Sequence, residues 1–221
     1  MQLIDIHTHH IPGGAGKLFI LNRYPESHLP DLPPGGFFSV GLHPWFIAGS
    51  NGYRAQLKRV EEMLTGEGVI ALGECGLDKL TKTEFQVQLD VFMHQAKLAE
   101  QYNKPMILHS VKTHNDLYHL QRKLKPSVPW LLHGYAGNPL VTEQLVRSGF
   151  YFSFGKALLE EGSVARTSLA ALPMDRIFFE TDDENMQLIL VYEAAAEILG
   201  LSLKDLTEKV EWNFRQVFLR S

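Results

Sequence analysis

The chain has 221 residues, of which 45% are hydrophobic and 21% charged, and carries a formal net charge of −4. That composition is near the globular average and supports one large core, so the chain reads as a single domain spanning residues 1–221. The acidic balance excludes a surface built to coat nucleic acid, no apolar run approaches the ~20 residues of a membrane span, and the N-terminus lacks the basic-then-apolar order of a signal peptide. With Cys75 the only cysteine, no internal disulfide can form, and the expected protein is cytoplasmic, a monomer or weak oligomer with no membrane and no evident protein partner.

Short apolar, β-rich runs alternate with stretches of helical period, the pattern of βα units around a parallel sheet. In chain order the expected strands are "LIDIH" from Leu3, "LFIL" from Leu18, "FFSVG" from Phe37, "VIALGE" from Val69, "MILH" from Met106, "WLLH" from Trp130, "FYFSF" from Phe150 and "RIFFE" from Arg176. The clearest helix follows the fourth strand. Phe85, Leu89, Phe92, Ala96, Ala99 and Tyr102 recur at spacings of three and four, Thr81 with Glu84 has the form of a capping box, and Asn103 with Pro105 ends the run. Further helices are expected near Tyr53–Thr65, Asn115–Leu124, Pro139–Ser148, Glu161–Leu172, Asn185–Leu199 and Leu203–Leu219, the last capped by Ser202 with Asp205 three residues on. Between the first three strands, "HIPGGAGK" and "NRYPESHLPDLPPGG" are too rich in Gly and Pro to hold a long helix. The expected fold is therefore a (β/α)8 TIM barrel whose helices after the first two strands are missing or shortened, with an open doubly wound sheet as the alternative.

Barrel enzymes place their chemistry at the C-terminal ends of the strands. Here those ends carry "HTH", "GLHPW", "GECGLD", "LHS", "LHG" and "ETDD". In a strand, residues i, i+2 and i+4 share a face, so Asp5, His7 and His9 should aim one way. His7, His9, Glu74, His109, His133 and Asp182 all fall at strand ends. Imidazole nitrogen and carboxylate oxygen are the ligands of Zn²⁺ and similar ions, and six at one barrel mouth would suit two. Asp78 could order the loop of Glu74 or a ligand's second nitrogen. Cys75 alternates away from Glu74 into the packing layer. His94, His114 and His119 are expected on solvated helix faces, and His10 points away from His9.

In order along the chain, "DIHTHH", "GLHPW", "GECGLD", "LHS", "LHGYAG" and "FFETDD" resemble the successive signatures of the TatD-like metal-dependent hydrolases, often described as deoxyribonucleases, in the amidohydrolase superfamily. The resemblance extends from Asp5 to "WNFRQVF" near the C-terminus. It implies that His7, His9 and Asp182 hold one metal, His109 and His133 another, and that Glu74 bridges them, with His43 at the mouth as a substrate-phosphate or supporting contact. Where the family usually has Arg two residues after the fifth-strand His, this chain has Val111 with Lys112 beside it. Asp182 is followed by Asp183 and Glu184 rather than by the Pro common in the family.

The function expected is a phosphodiesterase or deoxyribonuclease that uses two divalent ions (Mg, Mn or Zn) and a shared hydroxide on DNA ends or short oligonucleotides. Glu74 and Asp182 are the expected catalytic groups, with Lys112 and Lys156, in loops on the mouth side, as candidates to hold a substrate phosphate. The alternative is a small-molecule amide or ester hydrolase using the same dinuclear site.

Overall fold

The structure, a computed structural model, describes residues 2–13 and 17–219. Among these residues the chain runs β1 (Ile4–Thr8), β2 (Leu18–Arg23), β3 (Gly36–Val40), α1 (Gly49–Leu64), β4 (Val69–Asp78), α2 (Phe85–Gln101), β5 (Met106–Val111), α3 (His114–Leu124), β6 (Trp130–Leu132), α4 (Pro139–Arg147), β7 (Tyr151–Phe154), α5 (Val164–Ala170), β8 (Ile177–Phe179), α6 (Leu188–Leu199) and α7 (Leu203–Phe218). The eight strands form one parallel sheet in sequence order. A parallel bridge between Thr8 and Asp182 joins its two ends into a barrel. The expected barrel is thus the observed one, and no described residue between β1 and β3 is helical.

Each strand buries apolar side chains, with Ile6, Val40, Leu72, Ile107, Leu131, Phe152 and Phe178 all at 0% exposure. On the outside, α7 lays Leu206, Val210, Phe214 and Phe218, spaced by four, against the barrel. Its start is fixed as expected, the Ser202 hydroxyl accepting the N–H of Asp205 at 3.1 Å.

The capping box expected at α2 is not formed, since the N-cap is Glu84 without a side-chain bond. The buried amide of Gln88 instead ties down the turn that precedes the helix. Its Nε2 donates to the carbonyls of Thr83 and Asp78, while its Oε1 accepts the N–H of Asp78. One heptad on, buried Gln95 accepts from Leu42 N–H at 2.8 Å and donates to Leu42 O at 3.1 Å. The inward face of α2 therefore includes two amides that clamp the chain beside Asp78 and His43, and a purely apolar stripe could not supply those bonds.

β4 also runs four residues past the expected end at Glu74, because β5 keeps pairing with it through Gly76↔His109 and Asp78↔Val111. Gly76 makes this possible. It sits at φ 149°, and a Cβ there would collide with the carbonyl oxygen of His109. Several helices start or stop a few residues from the expected positions, α1 earlier and α5 shorter, as fraying ends generally do.

Candidate metal centre

β1 and the turn after β8 are stitched together by backbone groups of Asp182, which donates its N–H to His7 O at 2.9 Å and accepts from His9 N–H at 3.0 Å. Asp182 adopts a left-handed φ of 54°, which aspartate tolerates better than most side chains. His7, His9 and Asp182 are thereby brought together, with Asp182 Oδ1 at 3.4 Å from His7 Nε2 and 3.2 Å from His9 Nε2. Asp5 does not extend this row as the alternation suggests. The pairing of β1 slips between Asp5 and Thr8, and the Asp5 carboxylate accepts the N–H and hydroxyl of Thr181 at 3.1 and 2.7 Å. Burial pushes its carboxyl up to about 7 against those bonds.

Glu74 lies at the centre. Its Oε2 faces His7 Nε2 at 3.6 Å and His9 Nε2 at 3.8 Å. Its Oε1 faces His43 Nε2, His109 Nδ1 and His133 Nε2 at 3.1, 3.0 and 2.9 Å. The backbone N–H of Glu74 is held by Asn22 Oδ1 at 2.6 Å, and its Oε2 accepts the Tyr24 hydroxyl at 3.1 Å. Burial works against ionisation of Glu74, yet His133, His109 and His43 hold it well below the usual carboxylate range. Burial likewise opposes the ionised Asp182, and His7 and His9 outweigh it and lower its pKa. In return, burial and His133 work to lower the pKa of His7, and Asp182 with Glu74 overcome them and raise it to about 9. Burial is also outweighed at His133, where Glu74 and Glu180 push the imidazole well above its ordinary range.

Outer carboxylates set the histidine tautomers. Asp78 Oδ2 accepts from His109 Nε2–H at 3.3 Å, leaving Nδ1 turned to Glu74. Glu180 Oε1 accepts from His133 Nδ1–H at 3.3 Å and from the Gly134 N–H at 2.6 Å, leaving Nε2 turned inward to Glu74. His43 is arranged the other way round. Its Nδ1 accepts the Trp45 N–H at 3.1 Å, so Nε2 carries the proton toward Glu74.

All six sequence-predicted ligands therefore converge. Three overlapping sets place ligand atoms within 4.8 Å of one another: His7, His133 and Asp182; His7, His9 and Glu74; His43, Glu74 and His109. The donor types suit a divalent cation, and His7 adds a specific sign of one. It is fully buried, and among the described residues its Nδ1 has no hydrogen-bond partner and its Nε2 has only the Asp182 and Glu74 carboxylates, at 3.4 and 3.6 Å, without a formed hydrogen bond. Such a group is costly unless something else binds it.

The cluster opens into a cleft of about 340 Å³ lined by His9, Tyr24, His43, Trp45, Phe46, Glu74, His109, His133, Asp182 and Asp183. Neither Lys112 nor Lys156 lines it. Lys156 is paired with Glu184 at 2.9 Å, and Lys112, exposed after β5, has no ion-pair partner among the described residues. His114 departs from the expected solvated position, since it packs edge-on against Tyr135 with centroids 5.3 Å apart. His94 and His119 are exposed as expected, and His10 turns outward to Asp183 at 3.0 Å. Cys75 is buried against Ile107, clear of the cluster. Sequence reasoning missed Tyr24, Asn22, Trp45, Phe46 and Glu180. Of these, only Glu180 carried a visible signal, an acid two positions before Asp182 at a strand end.

A parallel eight-stranded barrel with this cluster at its mouth defines the class of metal-dependent TIM-barrel hydrolases. Within that class the chain belongs to the TatD family, described as TatD related DNase, whose pattern matches residues 31–219. It is 28% identical over 197 residues to the uncharacterized metal-dependent hydrolase YcfH of Escherichia coli K12, covering 82% of this chain and 73% of that protein. It is 33% identical over 156 residues to YjjV of the same organism, covering 69% and 60%. Deoxyribonuclease TATDN3 of Homo sapiens is 26% identical over 166 residues, covering 68% and 60%. The crystal structure of E. coli YjjV, a TatD homologue, shares the fold with a TM-score of 0.84 over 99% of this chain and 98% of that one, at 21% identity.

Proposed function

We propose that the chain is a cytoplasmic divalent-metal-dependent phosphodiesterase, working as one hydrolase domain on DNA ends or short oligonucleotides. The observation that carries this is the division of Glu74, with Oε2 given to His7 and His9 and Oε1 to His109 and His133. A carboxylate split in this way is what a bridge between two cations requires. His7, His9 and Asp182 would hold one ion and His109 and His133 the other. Ions of the Mg, Mn or Zn type bound there would lower the pKa of water toward ~7 and stabilise charge on phosphoryl oxygens.

The chain's own groups divide the remaining work. Asp182 is kept ionised and its side chain is 42% exposed to the cleft, which suits it to orient a water and accept its proton. Glu74 fixes the two histidine sets relative to each other. His43 lines the cleft but spends its Nε2–H on Glu74 Oε1 at 3.1 Å, so it supports Glu74, and a phosphoryl oxygen would have to compete with Glu74 for that donor. Tyr24, its phenol pushed up by burial and Glu74, stays a donor to Glu74. Of the two lysines outside the cleft, Lys156 is taken by Glu184, which leaves Lys112 as the candidate for a second phosphate of the strand.

DNA as substrate is supported by the family description and by the name of the human relative. The amide or ester alternative is not favoured, since the likeness to lactonase barrels is one of fold, at 13% identity. The test is to strip the protein of metal, reconstitute it with Mg²⁺, Mn²⁺ or Zn²⁺, and offer single-stranded DNA, a simple phosphodiester and a lactone. Turnover of the first two and not the third is expected. Lactone turnover alone would move the activity to the alternative.

A further inference from the structure

The described residues that line the cleft include Glu74, Asp182 and Asp183 but no Lys or Arg. Lys156, in the turn after β7, is already neutralised by Glu184. A substrate strand cannot be gripped along its backbone by such a surface, because that grip depends on Lys and Arg set against phosphates. What the rim offers instead is aromatic. Trp45 is 59% and Phe46 46% exposed, and both line the cleft beside His43.

These rings are held in place. Trp45 donates its backbone N–H to His43 and its indole Nε1–H to Asp78 Oδ2 at 2.6 Å. Asp78 is itself pinned by Leu80 N–H and Gln88. Phe46 donates its N–H to His43 O at 3.0 Å, its carbonyl accepts from Gln56, and its ring meets Tyr24 edge-on at 4.8 Å. Large aromatic surface left in water yet immobilised by polar contacts has little ordering entropy to lose when a flat partner lands on it.

We propose that Trp45 and Phe46 form a platform that stacks a nucleobase adjoining the scissile phosphate, so that the enzyme holds its substrate by the base rather than by the backbone. The identity of the ligand rests on the phosphodiesterase function proposed above. Stacking of this kind accepts any base, requires an unpaired one, and adds little salt dependence. It therefore selects frayed or single-stranded ends over intact duplex.

The experiment is binding of a phosphorothioate-linked dT tetranucleotide to Mn²⁺-loaded protein by fluorescence polarisation, with an abasic tetramer as control. Trp45→Ala and Phe46→Ala should each weaken binding on the order of tenfold. The abasic tetramer should bind wild type about as poorly as dT binds these variants. Trp45→Phe keeps a ring but loses the N–H to Asp78, and it should bind close to wild type, which separates stacking from support of His109. If both alanine variants bind within about twofold of wild type, or the abasic tetramer binds as tightly as dT, the platform is refuted. Cleavage of the phosphodiester-linked tetramer is scored separately. Base-dependent binding without cleavage would retain the platform and overturn the phosphodiesterase, and cleavage with base-independent binding would do the reverse.

Discussion

Replacing Glu180 by Gln should weaken metal binding in the His109–His133 half of the site about tenfold, a change worked out from the contacts of one buried carboxylate. Glu180 is 1% exposed. Its Oε1 accepts both His133 Nδ1–H and Gly134 N–H, and its Oε2 has no partner. Glutamine keeps the volume and an oxygen for both donors, so the charge behind His133 is lost while an amide NH2 takes the unpartnered place of Oε2, a cost to the fold that the urea measurement reads separately. A hydrogen bond to a charged group contributes about 1.5–3 kcal/mol against about 0.5–1.5 for a neutral one, and a difference near 1.4 is a factor of ten. Glu180→Ala removes the acceptor as well, so it should reach the ~100-fold end of outer-ligand effects and also destabilise the fold by about 1–3 kcal/mol. Competition between protein and a chromogenic chelator reads the affinity, and urea unfolding of metal-stripped protein reads the stability. If Glu180→Gln and Glu180→Ala both hold metal as tightly as wild type, the outer carboxylate does not set the basicity of His133 and the reasoning fails.

Glu74→Ala and Asp182→Ala should each reduce oligonucleotide turnover to background, with Glu74→Ala also lowering the bound metal measured by mass spectrometry. Either variant retaining wild-type kcat would remove that residue from the chemistry. In metal-stripped protein the Asp5 carboxyl titrates near 7 when folded against 3.8 as a free side chain. Folding therefore takes up a proton between those values, and the contribution is full below about pH 3.8 and lost as pH rises through 7. Asp5→Asn should flatten stability across pH 4–7 and gain a few kcal/mol relative to wild type at pH 8, and an unchanged slope in urea titrations would contradict this. Lys112→Ala should raise KM for an oligonucleotide only about threefold and leave kcat alone, with a shallow loss of binding as salt rises. A steep salt dependence on long duplex DNA would show that many phosphates are being neutralised after all.

The eight strands and the convergence of six side chains at the barrel mouth were legible because each rests on a local signal: an apolar β-run, then a His or acid at its end. That no described residue between β1 and β3 is helical was legible for the same reason, since Gly and Pro act where they stand. What stayed hidden depends on contacts far apart in sequence. Gln88 and Gln95 look like ordinary polar positions on α2, and only the folded chain shows them clamping Asp78 and Leu42. Tyr24 and Asn22 sit at the end of β2 and in a segment that reads as loop, yet they hold Glu74 from 50 and 52 residues away. Asp5 looked like a member of a ligand row, and a slip in strand pairing gave it to Thr181 instead. The capping box at Thr81 and Glu84 had the right letters, but the turn before α2 is shaped by Gln88. Lys112 and Lys156 carried the right charge at strand-end loops, and the side chains stand outside the cleft.

The central claim is that two ions share Glu74 while a phosphodiester is cut, and adding Mn²⁺ back to metal-stripped protein in measured equivalents tests it most directly. With a single-stranded oligonucleotide as substrate, the rate should stay low through the first equivalent, rise through the second and level off once both are bound. Full activity at one equivalent, or no cleavage at any loading, would contradict it.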